Sequence, residues 1–278
     1  MGLHKTVNTC EWRSQYNIIG TVKVEDKMPT PPVLTKRQIE EFRRDGFVTL
    51  REAFNDEDTK TIIEWADEVE ALPEEPGQQW VFHETSALDG SDLINRIEYI
   101  APFHSGFASL TEILKTAAGQ LLEEDAVLFK EKINFKMPGG GGFEPHQDSQ
   151  AGWEAYATNF ISAMVCIDEA TIENGCLELA AGQNKQGLLR GMEPLTKVDT
   201  RDMTFIPVPT RPGDVVLFDA YTPHQSAPNP TTTPRRVYYA TYNRASEGDH
   251  IDQYYADKRK SFPPDIERDP NRDYVYKV

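Results

Sequence analysis

Apolar residues in the first part of the chain recur mainly at helical spacing. Leu34 and Thr35 form a hydrophobic-staple and N-cap signal, after which apolar residues return every three or four positions until Gly46. Residues 47–50 (FVTL) then predict a short strand. The pattern predicts two further helices, one after the cap at Asn55 and one after Ser109. The first half of the chain is therefore expected to be mostly helical.

The second half of the chain changes to short runs that are typical of strands. These runs cover residues 127–136, 161–167, 176–180, 214–218 and 236–242. Asn174 and Gly175 indicate a hairpin turn between two of the runs, because this pair accepts positive φ readily. Helices followed by antiparallel strands favour an α+β fold with a double-stranded β-helix core, a cupin-like jelly-roll. We expect the helices, mostly from the N-terminal half, to pack on one side of this core.

A proline-rich stretch near residue 30 separates two parts of the chain. Residues 1–33 are expected to form an irregular leader, and residues 34–278 a single domain. Within that domain, the charged and aromatic residues 245–278 are expected to form a wrapping tail.

Composition limits the kind of partner. The chain has 278 residues, with 29 Lys and Arg against 45 Asp and Glu, which gives a formal net charge of −16. Nucleic acid and anionic membrane surfaces are not expected partners, because binding by counterion release requires a basic face. No stretch approaches the roughly 20 apolar residues that span a bilayer. A small-molecule substrate is the expected partner.

Cysteine usage and the two ends of the sequence predict a cytoplasmic protein. The three cysteines, Cys10, Cys166 and Cys176, are an odd number in a long chain and do not form a disulfide framework. The first residues lack the apolar core of a signal peptide, and the last residues, YVYKV, are not a peroxisomal address.

Two histidines and an aspartate are the strongest candidates for chemistry. If the segment FEPHQD enters a strand, His146 and Asp148 lie on the same face, because side chains alternate along a strand. His224, in the later segment TPHQS, supplies a candidate third ligand. Two histidines and one carboxylate are the facial triad of non-haem iron oxygenases, which leaves coordination positions open for co-substrate and dioxygen.

Polar residues that follow His224 indicate a site for a carboxylate. Arg235 can bind a carboxylate with two parallel hydrogen bonds, and Ser226 can add a third. A keto acid would be held in this way at the end remote from the metal. Asn229 is equally suited to the co-substrate and to capping a turn.

Simpler interpretations of the same residues remain open. His146 and Asp148 can form a hydrogen-bonded surface pair, and Arg235 can be one of a solvated basic pair with Arg236. The remaining histidines are expected in surface or capping roles; they include His83, His104 and His250. The glycine run at residues 139–142 lacks the following Lys-Ser/Thr of a phosphate-binding loop.

Taken together, these segments resemble the phytanoyl-CoA hydroxylase family of Fe(II)- and 2-oxoglutarate-dependent dioxygenases, which also contains ectoine hydroxylases. The resemblance spans about residues 36–245. It rests on HQD at residues 146–148, ENGCLELAAG at 173–182, and PGDVVLFDAYTPHQSAPNPTTTPRR, which ends at residue 236.

The resemblance implies Fe(II), 2-oxoglutarate and O2 as cofactor and co-substrates. It implies His146, Asp148 and His224 as iron ligands, and Arg235 with Ser226 as partners of the distal 2-oxoglutarate carboxylate. An aspartate at 148 also favours hydroxylation over halogenation, since halogenating relatives carry a small residue there. Asn134 stands where ectoine hydroxylases have a co-substrate asparagine. The further residues implied near the co-substrate are Lys130 and Lys132, which share a strand face with Asn134, and Arg96.

Within the family, residues 146–156 and 241–265 resemble the branch that hydroxylates organophosphonates such as 2-aminoethylphosphonate. Gln150, Trp153 and Tyr156 are expected on a lid, where aromatic faces could hold an ammonium group. The candidates for binding a phosphonate are Lys132, Arg96 and Arg244. Two alternatives are an oxygenase of larger secondary-metabolite scaffolds and, in another class, a non-catalytic metal-containing jelly-roll binding module.

Overall fold

A computed structural model describes residues 29–275, so the predicted leader lies outside the described residues except for its last five. The α-helices of this part of the chain are α1 (Lys36–Asp45), α2 (Asp56–Glu70), α3 (Ser105–Leu122) and α4 (Ile251–Ser261). Its strands are β1 (Phe47–Leu50), β2 (Trp80–Thr85), β3 (Asp92–Glu98), β4 (Ala126–Lys136), β5 (Phe143–His146), β6 (Phe160–Cys166), β7 (Leu177–Ala180), β8 (Phe205–Val208), β9 (Val215–Asp219), β10 (His224–Ser226) and β11 (Arg235–Arg244).

Local sequence signals set the ends of the first helix. The Thr35 side chain accepts a hydrogen bond from the Gln38 backbone N–H, and the Gln38 side chain accepts one from the Thr35 backbone N–H, which forms a capping box. Gly46 ends the helix at φ +83°, a conformation that costs glycine little. The predicted start and end of α1 are confirmed, and so is Asn55 as the N-cap of α2.

The strands form two antiparallel sheets. The larger sheet has the order β1-β9-β6-β11-β4-β3-β2, and the smaller sheet has the order β5-β10-β7-β8. Apolar residues between the sheets form one cluster, in which Val216 and Phe218 of β9 pack with Leu177 and Leu179 of β7. The predicted double-stranded β-helix core is confirmed.

The first three helices cover the outer face of the larger sheet. Phe42 of α1, Ile62 of α2 and Leu110 of α3 belong to one buried cluster with Val165 of β6 and Leu217 of β9. Residues of β6 and β9 therefore alternate between this helical layer and the space between the sheets. The prediction that helices of the N-terminal half pack on one side of the core is confirmed.

Three details of the predicted elements are wrong. Strands β2 and β3 were not predicted, and the first half of the chain is less helical than expected. Helix α3 begins at Ser105, not after Ser109, because His104 caps it by accepting the Phe107 N–H. The turn at Gly175 exists, with φ +77°, but β6 lies in the larger sheet and β7 in the smaller. The connection therefore crosses between sheets and is not a hairpin.

Helix α4 lies in the predicted tail and packs against β4. Its Tyr254 and Tyr255 are buried in an aromatic cluster with Trp80, Phe129 and Trp153. The predicted boundary of the domain at residue 33 remains a prediction. Within residues 29–275, no helix combines the length and apolar character needed to cross a membrane.

Candidate active site

Alternate side chains of neighbouring strands in the larger sheet project between the two sheets. On β4 they are Lys130, Lys132, Asn134 and Lys136, which lie opposite Thr241, Tyr239, Val237 and Arg235 of β11, respectively. On β3, Glu98 lies opposite Lys132, and Arg96 lies opposite Asn134. The intervening residues, among them Ile133 and Tyr238, point into the helical layer. One face of the sheet is thus lined with basic side chains, although the chain as a whole is acidic.

Two strands of the smaller sheet bring the three candidate metal ligands together. His146 ends β5 and His224 begins β10, and the two residues are direct partners in the antiparallel register. Asp148 Oδ1 lies 4.0 Å from His146 Nε2 and 3.8 Å from His224 Nε2. Alternation predicts that Asp148 continues the strand, but Asp148 instead begins a short 3-10 turn. The turn nevertheless places its carboxylate beside both imidazoles.

The hydrogen bonds of both histidines suit metal coordination. His146 Nδ1 lies 2.7 Å from the Glu144 carbonyl, and His224 Nδ1 lies 3.0 Å from the Thr222 carbonyl. Because a carbonyl only accepts, each Nδ1 carries the proton and each Nε2 lone pair is free for a metal. Burial and the neighbouring His224 lower the pKa of His146 to about 3, so this imidazole is neutral near pH 7. The donor set fits an Fe(II) ion.

Asp148 is held as a carboxylate and oriented by a hydroxyl. Burial alone would raise the pKa of Asp148, but the two imidazoles and Lys132 outweigh it and the pKa is lowered. The Ser162 hydroxyl donates to Asp148 Oδ2 at 3.2 Å and lies 2.9 Å from Thr241 Oγ1. Sequence analysis missed Ser162, although its place on the inner face of β6 follows from alternation.

A second part of the cavity fits a carboxylate. Arg235 is buried, and its Nε has no hydrogen-bond partner within the described residues. Lys136 donates to Ser226 Oγ at 2.7 Å and to the Ala227 carbonyl. A lysine that donates to the Ser226 oxygen leaves the Ser226 proton available for an anion. A buried guanidinium, a lysine amine and a hydroxyl therefore meet where the distal carboxylate of 2-oxoglutarate was predicted.

Lys136 was another residue that sequence analysis missed, although it continues the alternating set that includes Lys132 and Asn134.

Asn229 stabilises the turn between β10 and β11. Its amide donates to the Lys136 and Thr233 carbonyls, and its Oδ1 accepts from Thr231. Of the two roles considered for Asn229, the contacts favour capping.

The metal ligands and Arg235 open into one cavity of about 350 Å³. Its walls also include Lys130, Lys132, Asn134, Ser226, Trp153 and Tyr156, as predicted, and Tyr239, Tyr254 and Lys258, which were not predicted. Trp153 is buried against Phe129, with ring centroids 5.4 Å apart, so it both packs and lines the wall.

Three of the predicted substrate residues do not line this cavity. The Gln150 side chain accepts a hydrogen bond from the Gln147 N–H and donates one to the Glu193 carbonyl. These two bonds fix the loop that carries Asp148. Arg244 donates to the Leu122 carbonyl at 3.1 Å, at the end of α3. Arg96 lines a neighbouring cavity and places its Nε 2.8 Å from Glu98 Oε1.

The remaining histidines of the described chain lie elsewhere. His104 caps α3, as the expectation of a capping role predicted. His83 lies 3.1 Å from a Glu74 carboxylate oxygen, and His250 Nε2 lies 2.6 Å from the Glu247 carbonyl. Among residues 29–275, His146, Asp148 and His224 form the one group of three ligand side chains whose donor atoms all lie within 4.8 Å of one another.

Comparison with known proteins agrees with this geometry. A methylphosphonate hydroxylase from Gimesia maris is 40% identical over 82% of this chain and 88% of its own length. A 2-aminoethylphosphonate dioxygenase from an uncultured bacterium is 38% identical over 86% of this chain and 93% of its own. The crystal structure of EctD from S. alaskensis with 2-oxoglutarate and 5-hydroxyectoine has the same fold, with a TM-score of 0.66 and 22% identity over 84% of this chain and 88% of that one.

The family model of phytanoyl-CoA dioxygenase matches residues 42–237, which carry all three candidate metal ligands and Arg235. This match and the two phosphonate-oxidising relatives decide between an enzyme and a non-catalytic binding module in favour of the enzyme. The chain belongs to the phytanoyl-CoA dioxygenase family.

Proposed function

We propose that this protein is an Fe(II)- and 2-oxoglutarate-dependent hydroxylase of a small organophosphonate. The observation that carries the proposal is the His146-Asp148-His224 group, which opens into the same cavity as the buried Arg235. A purely structural metal site has no need of a second, cationic pocket for a carboxylate. The names of the two relatives, methylphosphonate hydroxylase and 2-aminoethylphosphonate dioxygenase, support the substrate class.

His146, Asp148 and His224 would hold the iron. With 2-oxoglutarate and O2, the bound iron supplies oxidative decarboxylation to succinate and CO2, coupled to hydroxylation of a substrate C–H bond. The chain's own task at this point is to fix the ligands. The Glu144 and Thr222 carbonyls orient the imidazoles, and the Ser162 hydroxyl orients the carboxylate.

Arg235 and Ser226 would bind the distal carboxylate of 2-oxoglutarate. The guanidinium offers a planar pair of N–H donors that matches a carboxylate, and Lys136 holds Ser226 in position. Asn134 lines the cavity beside them, and its Oδ1 has no hydrogen-bond partner within the described residues. The aromatic walls at Trp153, Phe218 and Tyr239 limit the access of water to the reacting centre.

A direct test is to reconstitute the protein anaerobically with Fe(II) and 2-oxoglutarate, admit O2, and measure succinate. We expect methylphosphonate or 2-aminoethylphosphonate to increase succinate formation and to yield an α-hydroxylated phosphonate visible by 31P NMR. The His146→Ala variant should lose both products. Ectoine, betaines and larger ring compounds are the comparison substrates; if these couple decarboxylation to hydroxylation and phosphonates do not, the substrate proposal is wrong.

A further inference from the structure

We propose that Lys130 on β4 and Lys258 on α4 together bind the phosphonate group of the substrate, so that α4 is an element of substrate selection. The inference rests on the proposed function and deepens it by naming the residues that recognise the anion. Both lysines line the cavity that contains the three candidate metal ligands.

Lys130 and Lys258 are held around one aromatic ring. The Lys130 ammonium donates to the Tyr254 hydroxyl at 3.0 Å and lies 5.2 Å from the centre of the Tyr254 ring. The Lys258 ammonium lies 5.8 Å from the same ring centre and donates to Glu98 Oε2. Helix α4 thus brings a second ammonium group to the face of β4 that the first already occupies.

Basic side chains outnumber acidic ones around Glu98. Lys130, Lys258, Lys132 and Arg96 surround one buried carboxylate, Glu98, and their charges hold its pKa low in spite of burial. Burial and the neighbouring Lys130 and Arg96 lower the pKa of Lys132 to about 7, and burial also lowers the pKa of Lys258. The charged forms of these buried lysines become favourable when a negative charge joins them. A phosphonate dianion would supply that charge.

The pair of Lys130 and Lys258 is separate from the site expected to bind the 2-oxoglutarate carboxylate. Lys130 lies opposite Thr241 and Lys136 lies opposite Arg235, so six residues of β11 separate the two ends. At about 3.3 Å per residue this is about 20 Å of backbone, which a five-carbon dicarboxylate does not span. Thr241 contacts Ser162, which contacts Asp148, so hydrogen bonds connect the Lys130 end to the metal site.

The side-chain types at the two ends suit different anions. Arg235 presents a planar fork, which matches a planar carboxylate. Lys130 and Lys258 present compact charges from two directions, which suits a tetrahedral group with three oxygens. The family model ends at residue 237, so Lys258 and Tyr254 lie beyond the part of the chain that it matches. The part of the chain that the family model describes therefore does not include α4.

The test compares Lys258→Gln and Lys130→Gln with Lys60→Met, an exposed lysine of α2, as control. Glutamine removes the charge but can still donate to Glu98 or to Tyr254. With the anaerobic protein loaded with Fe(II) and 2-oxoglutarate, isothermal titration should show methylphosphonate binding at least tenfold weaker in both glutamine variants. The affinity for 2-oxoglutarate should stay within about twofold, and Lys60→Met should match the wild type. Lys258→Arg should restore part of the phosphonate affinity.

If both glutamine variants bind methylphosphonate as the wild type does, or if 2-oxoglutarate binding falls equally, the inference is wrong while the proposed function stands. If the wild type binds none of methylphosphonate, 2-aminoethylphosphonate and inorganic phosphate, the proposed function and the inference fail together. Thermal unfolding of each variant, compared with the wild type, shows whether a loss of binding comes from loss of folded protein.

Discussion

Arg235 and Lys136 lie directly opposite each other in the antiparallel register of β11 and β4, with both side chains buried. Two cations in adjacent buried positions repel each other, and burial and Arg235 lower the pKa of Lys136 to about 6. Lys136 has the Ser226 hydroxyl and two backbone carbonyls within reach, whereas Arg235 Nε has no partner within the described residues. This arrangement is suited to binding an anion.

The first prediction concerns two adjacent arginines on opposite faces of β11. Arg235→Gln should weaken 2-oxoglutarate binding roughly 10- to 100-fold, because a charge-assisted hydrogen bond is lost in a buried site. Anaerobic titration of the Fe(II)-loaded protein, followed by the absorbance of the chelate complex, measures this affinity.

Arg236→Gln is the matched control for that prediction. Its guanidinium donates hydrogen bonds to Asp168, Asp67 and Glu70 on the helical side of the sheet. The control should lower the stability of the protein and leave the affinity for 2-oxoglutarate unchanged. Equal losses of affinity in the two variants would contradict the assignment of Arg235.

The second prediction concerns the hydroxyl that orients the metal-binding carboxylate. Ser162→Ala removes the bond to Asp148 and should weaken Fe(II) binding roughly tenfold, since such supporting contacts typically contribute 10- to 100-fold. Competition with a chelator under anaerobic conditions measures the affinity. Ser246→Ala, at an exposed serine, is the control and should bind Fe(II) as the wild type does. An unchanged affinity in Ser162→Ala would show that the contact does not orient the ligand.

The third prediction concerns the pH dependence of stability. His104 caps α3 through Nδ1 and donates from Nε2 to Glu68, so it must be neutral in the folded protein. Burial lowers its pKa below the usual value of 6.5. Below pH 6.5 the unfolded chain therefore binds a proton that the folded protein does not, and the free energy of unfolding decreases as the pH falls.

His104→Asn should keep a side-chain cap and reduce this loss of stability. Urea unfolding at pH 7.5 and at pH 5.5 measures the effect for each protein. His250→Asn is the control, because His250 makes no side-chain cap bond to α4. The explanation is wrong if His104→Asn and the wild type lose the same free energy between the two pH values.

The fourth prediction concerns a close contact between two helices. A Cβ at Gly106 of α3 would lie 2.4 Å from the Trp65 ring of α2. Gly106→Ala should therefore destabilise the protein, because overpacking costs about 1–3 kcal/mol. This exceeds the gain in helix propensity, which is at most about 1 kcal/mol. Gly191→Ala, where a Cβ meets open space, should show no such loss when the two are compared by urea unfolding.

The sequence predicted those features that depend on neighbours in the chain. Thr35, Asn55 and Gly46 set helix ends through hydrogen bonds and backbone angles within four residues, so the residue types alone were sufficient. The same holds for Lys130, Lys132 and Asn134, since strand periodicity places them on one face wherever the strand lies.

The sequence did not correctly predict other features, because their cause lies outside the local segment. Strands β2 and β3 lie at one edge of the larger sheet and are stabilised by pairing with each other and with β4. The turn at Gly175 has the backbone angle that its residues predicted, but the sheet that each flanking strand joins is decided by its partners. Local residue types do not encode those partners.

The amino-acid sequence alone determined the chemical inventory of this protein: two imidazoles, a carboxylate, an arginine and a strand with alternating cations. Only the tertiary structure decided which of these meet, since β5 and β10 place His146 opposite His224, and α4 brings Lys258 to Lys130. The physical reason is the separation along the chain over which each kind of interaction acts. Capping and alternation act over a few residues, whereas the register between strands and the packing of a distant helix depend on the burial of surfaces from the whole chain.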